Sequence, residues 1–206
     1  GLQVSPLGLG TVKFGRNQQV KYPSAFALPS DNEIVDLLAL ARELGINLLD
    51  TAPAYGSSQQ RLGKLLTQRN DWVIVSKVGE RFIDGQSCFD FSYQATIEGV
   101  HDSLKTLGTD YLDCVLIHSD GNDLAIFDQG GAIEALCELK EQGLIRAHGM
   151  SAKTVEGGLR TVEDLDVGVA FLYSTGVLSG EVDVYAGAKA SLAEAGLVGL
   201  GDDVTF

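Results

Sequence analysis

Residues 47–56 read Asn-Leu-Leu-Asp-Thr-Ala-Pro-Ala-Tyr-Gly, and this stretch decides the fold. An apolar run ends in Asp50, and a loop that contains proline then presents Tyr55. A carboxylate at the end of a buried strand is costly unless a cation pairs with it, because it has lost its water. The stretch therefore predicts a strand end that carries functional side chains, with a cation folded beside the acid.

Two later runs end in polar residues in the same way. The β-rich run 72–76 leads to Lys77, and the apolar run 112–117 leads to His118. Lys77 is the best candidate for the cation that the acid requires. Because the carboxyl ends of parallel strands converge in a barrel, we expect these two side chains to share one small pocket with the acid and the tyrosine.

Strands and helices alternate along the whole chain. The predicted strands lie near 4–10, 46–50, 72–76, 112–117, 145–150 and 168–174, and the predicted helices near 30–45, 57–67, 92–107, 132–142, 154–163 and 184–195. This alternation predicts the α/β class, with a parallel sheet and helices outside it. Long loops follow the strands and short turns follow the helices, which favours a (β/α)8 TIM barrel in a single domain over residues 1–206. A doubly wound sheet is the alternative.

The ordered set of four polar residues resembles the catalytic residues of the aldo-keto reductases. Residues 50–56 match the family's Asp-Thr-Ala-x-x-Tyr-Gly loop, with Asp50 and Tyr55 at its two functional positions. Lys77 follows the next strand and His118 the one after it, as in the family. The resemblance extends over roughly residues 4–165. It implies a (β/α)8 barrel and an oxidoreductase that acts on a carbonyl or alcohol group of an aldehyde, ketone or sugar.

The chemistry of the four residues fits that activity. A phenol is a poor acid at neutral pH, with an unperturbed pKa of about 10, and an ammonium beside Tyr55 would lower that value. Asp50 would keep Lys77 charged and aimed at the phenol oxygen, so that Tyr55 serves as the proton donor. His118 would donate a hydrogen bond to the substrate's carbonyl oxygen. None of these side chains supplies a hydride, so the reaction requires a cofactor.

The resemblance implies that this cofactor is NADP(H). The segments Gly8-Leu9-Gly10-Thr11 and Gly149-Met150-Ser151 look like the family's first and fifth strand ends. The family would place the backbone of Gly10 and Thr11 beside the nicotinamide ribose and Ser151 near the carboxamide. Asp50 would also lie in the cofactor site, and Tyr173 would stack on the nicotinamide ring.

The last fifth of the chain matches the family poorly. Residues 168–174 predict either the family's seventh strand end, with one strand and one helix lost before it, or simply a sixth strand. The segment after residue 165 lacks the Lys or Arg cluster with which the family holds the 2′-phosphate. A closed barrel has eight strands and about 250 residues. We therefore expect the natural polypeptide to be longer than 206 residues, or this chain to bind its cofactor weakly.

Composition excludes several other classes of function. The formal net charge of −13 opposes binding to nucleic acid. We expect no membrane association and a cytoplasmic protein, because no apolar stretch approaches the roughly 18–20 residues of a membrane span and no signal-peptide pattern precedes the first strand. Partners are expected to be small carbonyl or sugar substrates. The sequence leaves the oligomeric state open.

No metal site is expected. Of the three cysteines, Cys114 and Cys137 are predicted to be core residues, and none has CxxC spacing. The acids of the loop after His118 lack the pattern of a calcium loop, so solvated side chains are expected; they are Asp120, Asp123 and Asp128.

Two functions from different classes remain open on the sequence. The first is an NADP(H)-dependent carbonyl reductase or sugar dehydrogenase. The second is a non-catalytic, aldo-keto-like subunit that binds nucleotide or senses redox state without efficient turnover. The intact set of four residues favours the first function, and the poorly matching tail favours the second.

Overall fold

The computed structural model describes residues 2–20, 26–164 and 171–172. The strands, in chain order, are β1 (Gly8–Gly10), β2 (Leu48–Asp50), β3 (Val73–Val78), β4 (Glu80–Ile83), β5 (Gln86–Phe89), β6 (Leu112–His118), β7 (Ile145–Ala152) and β8 (Phe171–Leu172). The helices are α1 (Val12–Gly15), α2 (Asp31–Glu43), α3 (Ser58–Leu65), α4 (Tyr93–Leu107), α5 (Asp123–Gln129), α6 (Gly131–Glu141) and α7 (Val155–Asp164). Strands β4 and β5 form an antiparallel hairpin, and the other six strands form one sheet.

The strands of the large sheet follow one another in space in the order in which they occur in the chain. The order is β1-β2-β3-β6-β7-β8, and every neighbouring pair is parallel. A doubly wound sheet reverses its strand order at a switch point, and the described strands contain no such reversal. The fold is therefore an α/β, incomplete (β/α)8 barrel in which six parallel strands are described.

The start and the buried face of helix α2 are both determined by local sequence signals. It begins with a capping box, in which the backbone N–H of Glu33 donates to Ser30 Oγ at 3.3 Å and the backbone N–H of Ser30 donates to Glu33 Oε2 at 2.7 Å. Ile34, Leu38 and Ala41 recur at helical spacing and are buried against the sheet. The predicted helix over 30–45 is thus confirmed by its cap and its apolar stripe.

The alternation of side chains along the strands delivers polar groups to the inner face of the sheet. Val75 and Leu116 belong to an apolar cluster made of strand residues, separate from the larger cluster that includes the helices. Side chains two residues apart on a strand share a face. Lys77 and His118 therefore lie on the same inner face as Val75 and Leu116, and Asp50 ends the neighbouring strand.

The hairpin and α5 occupy segments that the sequence pattern assigns to loops, and α1 is a short helix that the pattern does not predict. The hairpin β4–β5 lies within the predicted loop 79–91, and α5 lies within the predicted loop 119–131. The hairpin turn is Asp84-Gly85, with φ values of 50° and 79°, a dipeptide that suits a tight hairpin. The short helix α1 follows directly on β1. The apolar pattern of these segments is too short to reveal them by periodicity.

Several expectations about the rest of the chain have definite outcomes. Cys114 is buried, as predicted, but Cys137 is exposed on α6, so its assignment to the core is wrong. Strand β8 falls within the predicted strand 168–174, while Tyr173 and the predicted helix 184–195 lie outside the described residues. No helix in the described part of the chain is long and apolar enough to cross a bilayer.

Candidate active site

The candidate site lies at the carboxyl ends of three neighbouring strands. Asp50 is the last residue of β2, Lys77 is next to last in β3, and His118 is the last residue of β6. Tyr55 comes from the loop that joins β2 to α3. Parallel strands end at one edge of the sheet, so residues far apart in sequence become neighbours there. The structure brings all four of these predicted residues together.

A short ion pair joins the first two strand ends. Lys77 Nζ donates to Asp50 Oδ2 at 2.6 Å and to the backbone carbonyl of Thr51 at 3.1 Å. The side chain of Lys77 is 5% exposed, whereas that of Asp50 is 26% exposed. The buried partner is therefore the base, and the acid faces the pocket. Burial lowers the pKa of Lys77 below its ordinary value, although the negative charge of Asp50 opposes this shift.

Tyr55 completes the cluster through the same carboxylate. Its hydroxyl donates to Asp50 Oδ1 at 3.2 Å, and Lys77 Nζ lies 4.9 Å from the centre of its ring. Two glycines allow the loop to approach α1 closely. A Cβ at Gly15 would lie 2.4 Å from the carbonyl oxygen of Tyr55, and Gly56, with φ of 60°, meets Gly15 in the same contact. The Tyr55-Gly56 pair is visible in the sequence, but the need for Gly15 is not.

His118 faces the tyrosine ring and a carboxylate that sequence reasoning missed. The rings of His118 and Tyr55 are perpendicular, with an interplanar angle of 87° and centroids 6.2 Å apart. Nδ1 of His118 lies 2.8 Å from Glu80 Oε2, at ion-pair distance although without an aligned hydrogen bond. Glu80 opens the hairpin three positions after Lys77. A glutamate in an apparent loop carries no signal that would identify it.

The residues that the resemblance assigns to the cofactor lie around the same edge of the sheet. Gly10 pairs in register with Asp50, and a Cβ at Gly10 would meet no atom within 4 Å. Thr11 is fully buried, and its Oγ1 donates to the carbonyl oxygen of Asp50 at 2.9 Å, so its side chain anchors the strand end. Ser151 pairs in register with His118 and is partly exposed. Tyr173 lies outside the described residues.

One of the loop acids has a role that the sequence analysis did not assign. Asp123 is 1% exposed rather than solvated. It accepts hydrogen bonds from Ser119 Oγ, from the backbone N–H groups of Lys153 and Thr154, and from Thr154 Oγ1 at 2.6 Å. Asp123, the first residue of α5, therefore ties the loop after β6 to the two residues that precede α7. No group of His, Cys, Asp and Glu within the described ranges could hold a metal ion.

Comparison with known proteins agrees with this geometry. The sequence model of the Aldo/keto reductase family matches residues 6–169. The chain belongs to the aldo/keto reductase family. The resemblance drawn from residues 4–165 is thereby confirmed.

Solved structures of the family superpose on this aldo/keto reductase. A putative aldo-keto reductase from Pseudomonas aeruginosa is 59% identical with a TM-score of 0.74, over 81% of this chain and 62% of that one. The holo form of an aldo-keto reductase from Bacillus halodurans is 33% identical with a TM-score of 0.66, over 81% of this chain and 52% of that one.

One curated relative is a named dehydrogenase, and its identity to this chain equals that of the Bacillus halodurans protein. L-galactose dehydrogenase from Arabidopsis thaliana is 33% identical over 159 residues, which are 73% of this chain and 46% of that protein. The chain thus spans about half the length of the curated relatives that it matches.

Proposed function

We propose that this aldo/keto reductase transfers a hydride between NADP(H) and the carbonyl or alcohol group of a small molecule such as an aldehyde, a ketone or a sugar. The observation that carries the proposal is the contact of a buried lysine with a carboxylate that also binds a phenol. Lys77, Asp50 and Tyr55 make this contact at 2.6 Å and 3.2 Å, with His118 against the phenol ring.

The described residues fit a nicotinamide cofactor at the carboxyl edge of the sheet. Open space lies over Gly10, where a side chain would restrict a flat ring, and the Asp50 carboxylate is a quarter exposed beside it. Ser151 offers a hydroxyl at the end of β7. These residues would hold the cofactor, which when bound supplies the hydride.

Tyr55 is the proposed proton donor. Its hydroxyl donates to Asp50 at the long distance of 3.2 Å, so an oxygen that gains negative charge in the pocket can compete for the proton. The Lys77 ammonium, 4.9 Å from the ring centre, stabilises the phenolate that remains. Asp50 restrains that ammonium through the shorter bond of 2.6 Å. Proton transfer of this kind typically contributes about 10²–10⁴-fold to a rate.

His118 is proposed to bind the substrate oxygen. Its side chain is 18% exposed and its ring is perpendicular to that of Tyr55, so one carbonyl oxygen would reach both side chains. A hydrogen bond that strengthens as the oxygen becomes negative lowers the barrier. The net charge of −13 makes polyanionic substrates unfavourable and is compatible with a small neutral carbonyl compound.

Nucleotide binding and turnover test the proposal separately. Purified protein is titrated with NADPH or NADH while cofactor fluorescence is followed, and oxidation of the bound cofactor is then measured with a panel of aldehydes, ketones and sugars. Tyr55→Phe is the matched control, because it should retain binding and lose oxidation.

Each outcome has a definite meaning. We expect tighter binding of NADPH and turnover of at least one carbonyl compound. Preference for NADH would overturn the NADP(H) assignment alone. Binding without oxidation of the cofactor would favour the nucleotide-binding or redox-sensing subunit. Absence of binding would overturn both functions.

A further inference from the structure

The hairpin β4–β5 places one acid beside the candidate site. Glu80 opens this hairpin directly after Gly79, where φ of 94° turns the chain out of β3. A Cβ at Gly79 would lie 2.5 Å from the ring of Phe91, so only glycine fits the turn. The turn carries Glu80 back over the strand ends, where it is 8% exposed. A buried carboxylate is costly and therefore requires partners.

The partners of Glu80 come from three different elements. Oε2 lies 2.8 Å from Nδ1 of His118, at the end of β6. Oε1 accepts a hydrogen bond from Ser87 Oγ at 2.6 Å, within the hairpin, and lies 3.8 Å from Nη1 of Arg16, after α1. Burial alone would raise the pKa of Glu80, but His118, Ser87 and Arg16 outweigh it and hold that pKa below its ordinary value. Glu80 is thus a carboxylate at neutral pH.

Of the two partners that present nitrogen atoms, His118 and Arg16, His118 is the closer. Arg16 also donates to the backbone carbonyls of Ala54 at 3.0 Å, Gln18 at 3.0 Å and Gln19 at 3.2 Å. Its guanidinium carbon lies 3.6 Å from the centre of the Phe82 ring, so the guanidinium is shared among several partners. Nδ1 of His118 lies 2.8 Å from the carboxylate, against 3.8 Å for Nη1 of Arg16, and a ring protonated at both nitrogens would add a positive charge there. In that form both ring nitrogens are donors.

We infer that Glu80 is a positioning residue that acts through His118. The inference rests on the proposed function. Contact with Glu80 occupies Nδ1, fixes the orientation of the ring and leaves Nε2 as the nitrogen for a substrate oxygen. A neutral ring with its proton on Nδ1 cannot donate from Nε2. A ring that donates from both nitrogens carries a positive charge, and the negative charge of the Glu80 carboxylate would balance it.

The kinetic test removes the charge and keeps the shape. Glu80→Gln is expected to lower kcat by about 10- to 100-fold, since a hydrogen-bond donor to a developing oxyanion is worth about 10²–10³-fold when removed outright. The KM for the carbonyl compound and the Kd for NADPH should each change by less than about twofold, because Glu80 is not expected to touch either molecule. Asp84→Asn is the matched control, because it removes the same charge from the exposed turn of the same hairpin.

A double-mutant cycle decides whether the effect passes through His118. In the His118→Gln background, Glu80→Gln should cause no further loss of kcat. An equal loss of kcat in both backgrounds would overturn the inference, as would a loss of kcat in Asp84→Asn that matches Glu80→Gln.

A second measurement does not depend on turnover. In protein labelled with ¹³C at glutamate carboxyl carbons, the resonance absent from Glu80→Gln is followed as a function of pH. Its midpoint should move to higher pH in His118→Gln, because loss of the ring removes a cause of the lowered pKa. An unmoved midpoint would overturn the contact. A midpoint that moves in His118→Gln, together with wild-type protein that shows no turnover, would retain the contact and overturn both the proposed function and the role in the reaction.

Discussion

Both ends of the parallel sheet hold a buried ion pair, and the two pairs are built in opposite ways. At the amino end the buried member is an acid, Asp113, whose side chain is 2% exposed. Its two oxygens lie 2.8 Å from Arg69 Nη2 and 2.9 Å from Arg146 Nη1, and one of them accepts the backbone N–H of Ile74 at 2.9 Å. Both carboxylate oxygens therefore accept hydrogen bonds from the protein.

At the carboxyl end the buried member is a base. Lys77 is enclosed by the strands, and its partner Asp50 is a quarter exposed and shared with Tyr55. Guanidinium groups stay charged at any accessible pH, whereas an ammonium and a phenol can exchange protons. The amino end thus holds an acid between groups that keep their charge, whereas the carboxyl end holds groups that can exchange a proton.

The largest expected effect is a loss of activity, and it follows from a change at the carboxyl end of the sheet. Tyr55→Phe should reduce carbonyl reduction by about 10²–10⁴-fold, because it removes the proton donor and little else. Steady-state kinetics measure the loss, and cofactor fluorescence checks that binding survives. The free energy of unfolding should change by less than about 1 kcal/mol, since Tyr55 is only partly buried and its hydrogen bond to Asp50 is long, at 3.2 Å. Retained turnover would remove Tyr55 from the proposed mechanism.

The next effect belongs to the amino end and concerns stability. Asp113→Asn should lower the free energy of unfolding by about 3 kcal/mol, near the low end of the range for a broken buried pair, because both arginines reach solvent. Urea unfolding measures the change. The control is Asp71→Asn, which breaks an exposed pair with Arg42 and should cost less than about 1 kcal/mol. Equal losses in the two variants would contradict the assigned difference in burial.

A smaller effect is expected from the pair at the carboxyl end. A fully buried Asp50 would predict a loss of about 3–5 kcal/mol for Lys77→Met. The side chain of Asp50 is 26% exposed, so we expect a loss of only about 1 kcal/mol. Water can hydrate the unpaired carboxylate of Asp50, and the methionine fills the space that the buried ammonium of Lys77 occupied. Urea unfolding alongside Asp113→Asn makes the comparison direct. A loss as large as that of Asp113→Asn would show that Asp50 is cut off from water.

The smallest effect is confined to acid pH. Because the pKa of Glu80 is held below its ordinary value of 4.5, its contribution to stability is fully present above that value and is lost as pH falls through the lower, folded-state pKa. Glu80→Gln lacks this contribution at every pH. The stability difference between wild type and variant should therefore shrink as the pH of urea unfolding experiments falls below about 4.5. A difference that stays constant with pH would mean that Glu80 has no favourable partner.

Much of the fold could be predicted from local patterns. Strand positions were predicted correctly for β2, β3, β6 and β7, because each is an apolar run bounded by polar or Gly-marked segments. Helix α5 was missed because it is too short for its periodicity to stand out. The hairpin β4–β5 was missed because its strands are equally short, although the dipeptide Asp84-Gly85 is a hairpin signal that the sequence carries. The doubly wound alternative could be discarded only once the order of the strands in space was known.

By itself, the sequence determined the family and the order of the strand ends that carry Asp50, Lys77 and His118, because these features depend on motifs that are local in the chain. Only the tertiary structure decided which member of the ion pair is buried, and that Glu80 faces His118. Burial and long-range contacts depend on how the strands and the hairpin pack, and no single segment encodes them. The same pattern of an acid followed by a distant base can therefore produce a pair with a buried acid at one end of the sheet and a pair with a buried base at the other.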